Sequence, residues 1–517
     1  MPHSLFADPA AAVNSIVARV RKDLRSLVLA VGQGELDPAV VEQRAVELSM
    51  GWGRDALSMA FSEQCRQATL ADIDAREVAP ENVSLRSDAD YWWKVTTTLG
   101  EVSVFSFAYR LRTAAGTRVT LTPAREKVFP LHQRVRSSLR GLQWSCKVAS
   151  LHPYRTAQAT LSFFTHGQVK LEDTTIARHA TTVGSMIERR WLYRDVSDIT
   201  EVLQTRATRD AKTGRPLLYF SSDAHLLRRF EDETWRAAWK NVNGVRLWCQ
   251  DKRTGGIIHL GGEFTWGDCE EVVEIVNDLN RLGILPSDGV FADGTQAQVV
   301  LVTDGAKWLV GRLQPLFPGA VWVLDAWHAM QILNEYAAAQ FGKGSVAAKH
   351  HYSTLVELLT GRSPKRSRQC YPPRKGQRKP KRRSPRRDDR RAFEEGYGIE
   401  PLLEFVRAYR VDPEHEELHG KFIKRLEEEQ WRMDYPAYRA RGLQIGSGAM
   451  ESIHRNGSQL RLKLPGARWL VKTAQAVMNL RMLEIAGRWD DFWAQDGIVG
   501  VLVEAFTPPA ATALLAA

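Results

Sequence analysis

Asp223, Asp304 and Glu451 are carboxylates on separate stretches of the chain, and Asp325 and His328 sit three residues apart shortly after the second of them. Metal-dependent phosphoryl transfer asks for such a set. About three carboxylates from different elements hold two divalent ions roughly 3.5–4 Å apart, one activating the nucleophile and one stabilising the leaving oxygen. Mg2+ suits the arrangement because it takes few carboxylates and keeps positions open for phosphate and water, and Mn2+ accepts the same oxygen ligands. Asp223, Asp304 and Glu451 are therefore candidates both for catalysis and for holding two Mg2+ ions. Asp325 and His328 can share a helical face and support the site or contact its substrate. Each residue also has an ordinary reading. An Asp at a strand end usually makes a turn or a cap, and a Glu in the first turn of a helix complements its dipole. Asp325 with His328 also fits a helix cap and a core hydrogen bond. The order of the elements between the acids decides the weight to give them.

From Val299 to Met330 the pattern is strand, helix, strand. Val299 to Val302 is apolar and β-branched and ends in Thr303-Asp304-Gly305. Leu309, Leu313 and Leu316 hold helical spacing up to Pro318-Gly319, and Ala320 to Leu324 runs into Asp325-Ala-Trp-His328. Upstream, Pro216 to Tyr219 predicts a strand leading into Asp223, Val245 to Cys249 and Ile257 to Phe264 predict two more, and Gly267 to Leu282 a helix. Three strands, a helix, a strand, a helix and a strand is the order of a ribonuclease-H-like core. Helical pattern runs on to Thr360 and resumes from Ile399 to Trp431, which reads as an insertion. The chain returns at Ile445, where Ser447 can cap a helix carrying Glu451. Its apolar face is Met450, Ile453, Leu460 and Leu464, and Gly457 allows close approach. Trp469 to Ala486 predicts a last amphipathic helix.

The expected fold class is thus α/β, a ribonuclease-H-like mixed sheet core interrupted by a helical insertion and preceded by N-terminal helical and small β modules. Residues 1–94 are helical, with Val13, Ile16, Val17, Val20, Leu24, Leu27 and Val28 at intervals of three and four and a break at Gly32-Gln-Gly34. Residues 95–150 change to a strand period, with a turn at Ala114-Ala-Gly116. Residues 151–210 hold a helix pair. It reads either as a helix-turn-helix presenting Thr175, Arg178 and His179 to a nucleic-acid groove or as plain helical packing. The core then occupies 211–330 and 441–495, around the insertion 331–440 and before a tail, 496–517.

At 517 residues several domains are expected, and 44% apolar with 25% charged residues is a globular composition. No window approaches ~18 uncharged apolar residues, and Met1 to Asp8 lacks a signal-peptide pattern. A cytoplasmic, nucleoid-associated protein without a membrane partner is the expectation. The five cysteines are scattered with no CxxC pair, which predicts inert thiols rather than a zinc module. The net charge of +11 is local. Between Arg362 and Arg391, 15 Lys and Arg stand against Asp388 and Asp389, leaving the rest of the chain near neutral. This run reads either as a solvated linker or as a sequence-independent phosphate clamp. The clamp would act through Lys365, Arg366, Arg374, Lys375, Arg378, Lys379, Lys381, Arg382, Arg383, Arg386 and Arg387. Tyr371 is its one aromatic, so base stacking is not its mode.

Thr303-Asp304-Gly-Ala-Lys-Trp, Phe317-Pro-Gly-Ala, Leu324-Asp-Ala-Trp-His328, Ile445-Gly-Ser-Gly-Ala-Met-Glu451-Ser and Gly466-Ala-Arg-Trp469 together resemble bacterial insertion-sequence transposases of the ISKra type. These belong to the DDE superfamily with a ribonuclease-H-like core, related to Mutator-type transposases. The resemblance is strongest from Arg215 to Trp493. It implies Asp223, Asp304 and Glu451 as the catalytic, Mg2+-binding acids and Asp325 with His328 as the supporting Asp-x-x-His element. It also implies double-stranded DNA as partner, both terminal inverted repeats and target, bound by a homo-oligomer, with Arg455 joining the basic run among the DNA-contacting residues. Where the family commonly has Asp-Gly, this chain has Asp223-Ala-His225, which keeps open an inactive, DNA-binding descendant; a ribonuclease-H-like nuclease without strand transfer is a separate alternative.

Overall fold

The computed structural model describes residues 9–76, 82–86, 92–112, 116–129, 135–230, 236–267, 269–304, 306–362, 396–494 and 497–498. The chain divides into two compact units: Met1–Ile187 together with Trp489–Ala517, and Glu188–Arg488. Among the described residues no helix is long and apolar enough to cross a membrane.

The first unit opens with helices α1 (Pro9–Gly32) and α2 (Pro38–Asp74). Two small antiparallel sheets follow. Strand β1 (Val83–Arg86) pairs with β4 (Ala108–Arg112), which pairs with β5 (Arg118–Leu121); β2 (Trp92–Thr97) pairs with β3 (Gly100–Phe105). Cys65 of α2 shares a core with Val95, Val102, Val104 and Phe129, and Tyr109 donates to Asp72 at 2.6 Å. The apolar stripe of α1 is only partly used: Val13, Val17, Leu24 and Val28 stay between 42% and 67% exposed. Ala114 and Ala115 of the predicted turn lie outside the described residues. Helices α3 (Pro123–Val128), α4 (Leu139–Leu151), α5 (Tyr154–Phe164) and α6 (Asp173–Gly184) complete this part of the chain. The helix-turn-helix reading needs a correction at His179. Its ring is buried, with Nδ1 3.0 Å from Ser145 Oγ on α4, so it holds α6 against α4 and faces no groove. Burial pushes its pKa down to about 4, keeping it neutral in that seat. Arg178 remains exposed and Thr175 is half-buried.

The second unit begins with α7 (Val196–Thr205) and carries a five-stranded mixed sheet: β6 (Leu217–Phe230), β7 (Ala237–Gln250), β8 (Ile257–Trp266), β9 (Gln298–Thr303) and β10 (Val321–Leu324). Its order is β10-β9-β6-β7-β8. The pairs β6–β7 and β7–β8 are antiparallel, whereas β6–β9 and β9–β10 are parallel; α8 (Cys269–Arg281) leads from β8 into β9 and α9 (Lys307–Leu313) lies between β9 and β10. That is the order and sense expected of a ribonuclease-H-like core. Both first strands are longer than the apolar pattern predicts. They sustain each other as a hairpin from Tyr219↔Trp248 to Phe230↔Ala237, so strand structure persists where the sequence turns polar.

One sheet face carries Leu217, Tyr219, Val300, Val302 and Val323, and Tyr219 stacks on Trp248 with ring centroids 4.1 Å apart. Helices α10 (Ala326–Phe341), α11 (Val346–Thr360), α12 (Ile399–Ala408), α13 (Glu416–Glu429) and α14 (Tyr435–Ala440) contribute to the same core through Leu333, Tyr336, Leu355, Leu402, Phe422 and Tyr435. The inserted helices therefore cover the sheet rather than fold apart from it. The basic residues from Lys365 to Arg387 lie outside the described residues.

The last stretch is α15 (Gly448–Ile453), a π-helical turn (His454–Gln459), a short α16 (Leu460–Leu462) and α17 (Val471–Ile485). Met450 and Ile453 are buried as expected, but Leu460 and Leu464 are 55% and 36% exposed. The π turn is the reason. Burial recurs every four residues, along Ala449, Ile453, Gly457 and Arg461 and along Met450, His454, Ser458 and Leu462. In an α-helix each four-residue step drifts by about 40°; the wider π turn absorbs the drift, so spacing by threes and fours selects the wrong later residues. Helix α17 is a second departure, because Ala474, Ala476, Val477, Met478, Leu480, Met482 and Leu483 bury most of its circumference and leave little amphipathic character.

Candidate active site

Strand register brings three aspartates into one row. Ser222 pairs with Thr303 across β6 and β9, and Thr303 with Leu324 across β9 and β10. Asp223, Asp304 and Asp325 are the next residues on these three parallel strands. Neighbouring strands lie about 4.8 Å apart, and the alternation that puts Tyr219, Val302 and Val323 on the helix-covered face puts the three acids there too. Asp223 is not at a strand end, as the sequence pattern suggests, but in the middle of β6, at the level where its parallel neighbour stops. Its carboxyl is pushed up to about 6, chiefly by burial, with the Ala224 N–H opposing at 2.7 Å and the Asp304 charge adding to the rise. His328 and Asp325 act on it more weakly, in opposite directions. The two aspartates, Asp325 and His328 thus share one electrostatic neighbourhood.

Asp325 has the most defined role. It is buried, its Oδ1 accepts from the Trp327 N–H at 2.6 Å to cap α10, and its Oδ2 accepts from the Ser447 N–H at 2.8 Å. The Ala326 N–H reaches Ile445 O at 2.9 Å. Together these tie the loop preceding the Glu451 helix to the end of β10. His328 Nδ1 lies 3.9 Å from Asp325 Oδ2, beyond hydrogen-bond reach, and the ring is about a third exposed at the rim. Asp304 is held by its own turn, where Oδ1 accepts from the Ala306 N–H at 3.1 Å, and from behind by Arg432. That guanidinium is buried; it pairs with Glu429 at 2.5 Å and donates to Thr303 Oγ1 and Asp304 O, both at 3.3 Å. Sequence reasoning missed Arg432, because nothing local in Trp431-Arg-Met marks an arginine that will be buried under a strand end.

The Glu451 helix docks on the same face of β6, β7 and β8. Arg246 of β7 is buried and donates through Nη1 to Ala449 O in the first turn. Gly244, opposite Asp223 in the β6–β7 register, forms the notch that receives the helix: a Cβ there would lie 2.5 Å from Met450 Cε and 2.8 Å from His454 Nε2. Gly457 does the reciprocal job, since its Cβ would stand 2.5 Å from Phe264 Cε2. Ile453 and Gly457 thus meet β8, while Met450, His454 and Ser458 meet β7 and β6. One further step round the helix in the same sense comes Glu451 with Arg455, both exposed, on the flank away from β8. Among the described residues the Glu451 carboxylate has no hydrogen bond or ion pair.

Asp223 and Asp304 are therefore neighbours, while Glu451 stands off on a helix anchored beside them. Among the described residues, the trio whose ligand atoms do lie within 4.8 Å of one another, Asp412, Glu414 and His415, sits on a largely exposed turn elsewhere in the unit. Cys65, Cys146 and Cys249 are buried.

No family model and no curated protein matches the sequence. Among solved structures the chain is similar to the Drosophila P element transposase strand transfer complex, at 12% identity over 75% of this chain and 91% of that chain, with a TM-score of 0.24. The ribonuclease-H-like order is that of this chain's own strands and their register.

Proposed function

We propose that the protein is a DNA transposase of the DDE type, in which Asp223, Asp304 and Glu451 hold two Mg2+ ions, or Mn2+ in their place. The observation that carries this reading is the row Asp223–Asp304 on adjacent parallel strands, with a half-buried Asp223 carboxyl whose ionisation is opposed chiefly by desolvation and further by its neighbour. Two hard oxygen donors in that relation are relieved by a divalent cation, and a third exposed carboxylate nearby suits the same ligand chemistry. When bound, such ions supply an activated nucleophile and stabilisation of the leaving oxygen in an in-line displacement. The chain's own part is to position. Strand register holds Asp223 and Asp304; Arg432 and the Ala306 N–H fix the Asp304 turn; Asp325, Arg246 and the Gly244 notch fix the Glu451 helix. One carboxylate set serves both hydrolysis at an element end and attack of the freed 3′-hydroxyl on target DNA, because both are displacements at phosphorus. Lys365 to Arg387 and Arg455 contact phosphates in this reading, the ends being brought together by a homo-oligomer.

The test is cleavage and joining of element-end DNA with Mg2+ or Mn2+. Asp304→Asn and Glu451→Gln each remove several kcal/mol of charge stabilisation, expected to slow both steps on the order of 10³-fold. Retained metal-dependent cleavage in either variant would overturn the mechanism. Cleavage by the wild type that never yields joined product would instead identify a nuclease without strand transfer.

A further inference from the structure

The π turn buries His454 and Ser458 and packs them against the half-buried His225 of β6, three side chains that the proposed chemistry does not use. His225 follows Asp223 by two residues on β6, so both side chains project from the same face. His454 is the first residue of the π turn, and its Nδ1 lies 3.8 Å from Asp223 Oδ2 while its ring also reaches the Asp223 main chain. The His225 and His454 rings stand 4.6 Å apart, and Ser458 Oγ lies 2.8 Å from His225 Nε2. Ser458 Oγ also lies within hydrogen-bond reach of His454 O, at 3.1 Å, so one hydroxyl links the two histidine residues. Strand residues 223 and 225 thus alternate with helix residues 454 and 458 along one seam. Rows spaced by four on the helix stay matched to the two-residue repeat of the strand only because the π turn removes the helical drift.

We infer that His454, seated by His225 and Ser458, is a positioning residue that sets the register of the Glu451 helix against the Asp223 strand. Glu451 precedes His454 by three residues, within the same continuous helix, so a slip of the seam carries the carboxylate with it. The seam touches no reacting atom; it acts through Asp223 and Glu451. This inference rests on the metal-site reading of those two acids.

The test is direct Mn2+ titration of the full chain without DNA, followed by electron paramagnetic resonance, with melting temperature read in parallel. His454→Leu is expected to weaken Mn2+ binding about 10–100-fold, the usual effect of removing an outer partner of a metal ligand. His454→Asn, which can place an amide nitrogen near the Nδ1 position, is expected to restore most of the affinity. Ser458→Ala, which leaves His454 in place, is expected to shift affinity in the same direction by a smaller factor and serves if His454→Leu fails to fold. A purely structural role would lower the melting temperature and leave the Mn2+ titration of the folded fraction where it was; that result overturns the inference. Asp304→Asn separates the two ideas. Unchanged Mn2+ binding in that variant sinks the metal-site reading itself, whereas lost binding there with normal binding in His454→Leu sinks only the seam.

Discussion

The two sides of the candidate site are built by different means. Asp223 and Asp304 are placed by main-chain hydrogen bonds: once β6 and β9 pair in parallel with Ser222 opposite Thr303, the acids must be neighbours. Glu451 is placed by side chains, through Asp325 at Ser447, Arg246 at Ala449, the Gly244 notch and the histidine seam. A ladder distributes its energy over many equivalent bonds, and a one-residue slip would turn every side chain to the other face. A docked helix depends on a few individual contacts. Single substitutions should therefore displace the glutamate far more easily than the aspartates.

The largest effects fall on the acids themselves, and stability distinguishes the two sides. Asp304→Asn and Glu451→Gln should lose activity alike, as stated above. Only Asp304→Asn should also raise the metal-free melting temperature, because it removes a charge that opposes ionisation of Asp223. Equal melting temperatures would argue against the coupling within the row. Next comes the notch. Gly244→Val would press against Met450, Phe264 and His454 and should destabilise the protein by about 1–3 kcal/mol in chemical denaturation, the range for overpacking. Metal affinity should fall as the Glu451 helix lifts; unaffected affinity would show that the docking is not what holds Glu451. Asp325→Ala leaves two N–H groups, of Trp327 and Ser447, without their acceptor, and should be destabilising by about 1–3 kcal/mol. Asp325→Asn, which retains one acceptor oxygen, should lie between it and the wild type.

The smallest expected effect is a pH dependence. The Asp223 carboxyl titrates near 6 in the folded chain and at its ordinary lower value when unfolded. The folded state therefore holds the proton more tightly, and stability from this group is fully present below the unfolded pKa. It is lost as pH rises from about 4 through about 6. The metal-free melting temperature should decline across that window and flatten in Asp223→Asn. A slope that survives the substitution would assign it to another group.

Much of the second unit could be read from local pattern. Apolar β-branched runs at Val299–Val302 and Ile257–Phe264, and the helix between them, follow from side-chain alternation and helical spacing, which are properties of short windows. The acids at 223, 304 and 325 were visible for the same reason, each lying just beyond an apolar run. Hidden from such windows was everything that depends on a partner distant in sequence. The hairpin extends β6 and β7 through polar residues because each strand supplies the other's hydrogen bonds. His179 turned inward because Ser145 waits for it on α4. Arg432 could be buried because Glu429, Thr303 and Asp304 O satisfy it. The π turn kept Leu460 exposed and brought His454 and Ser458 inward because the seam with Asp223 and His225 offered polar partners that a leucine face would not need. By itself, then, the sequence determined which residues could carry the chemistry and the order of the core elements, since both are written in composition and local period. Only the tertiary structure decided that Asp223 and Asp304 are neighbours in one row and that Glu451 is held beside them through partners between 122 and 233 residues apart in the chain, because strand register and helix docking are satisfied between segments and leave no local period to read.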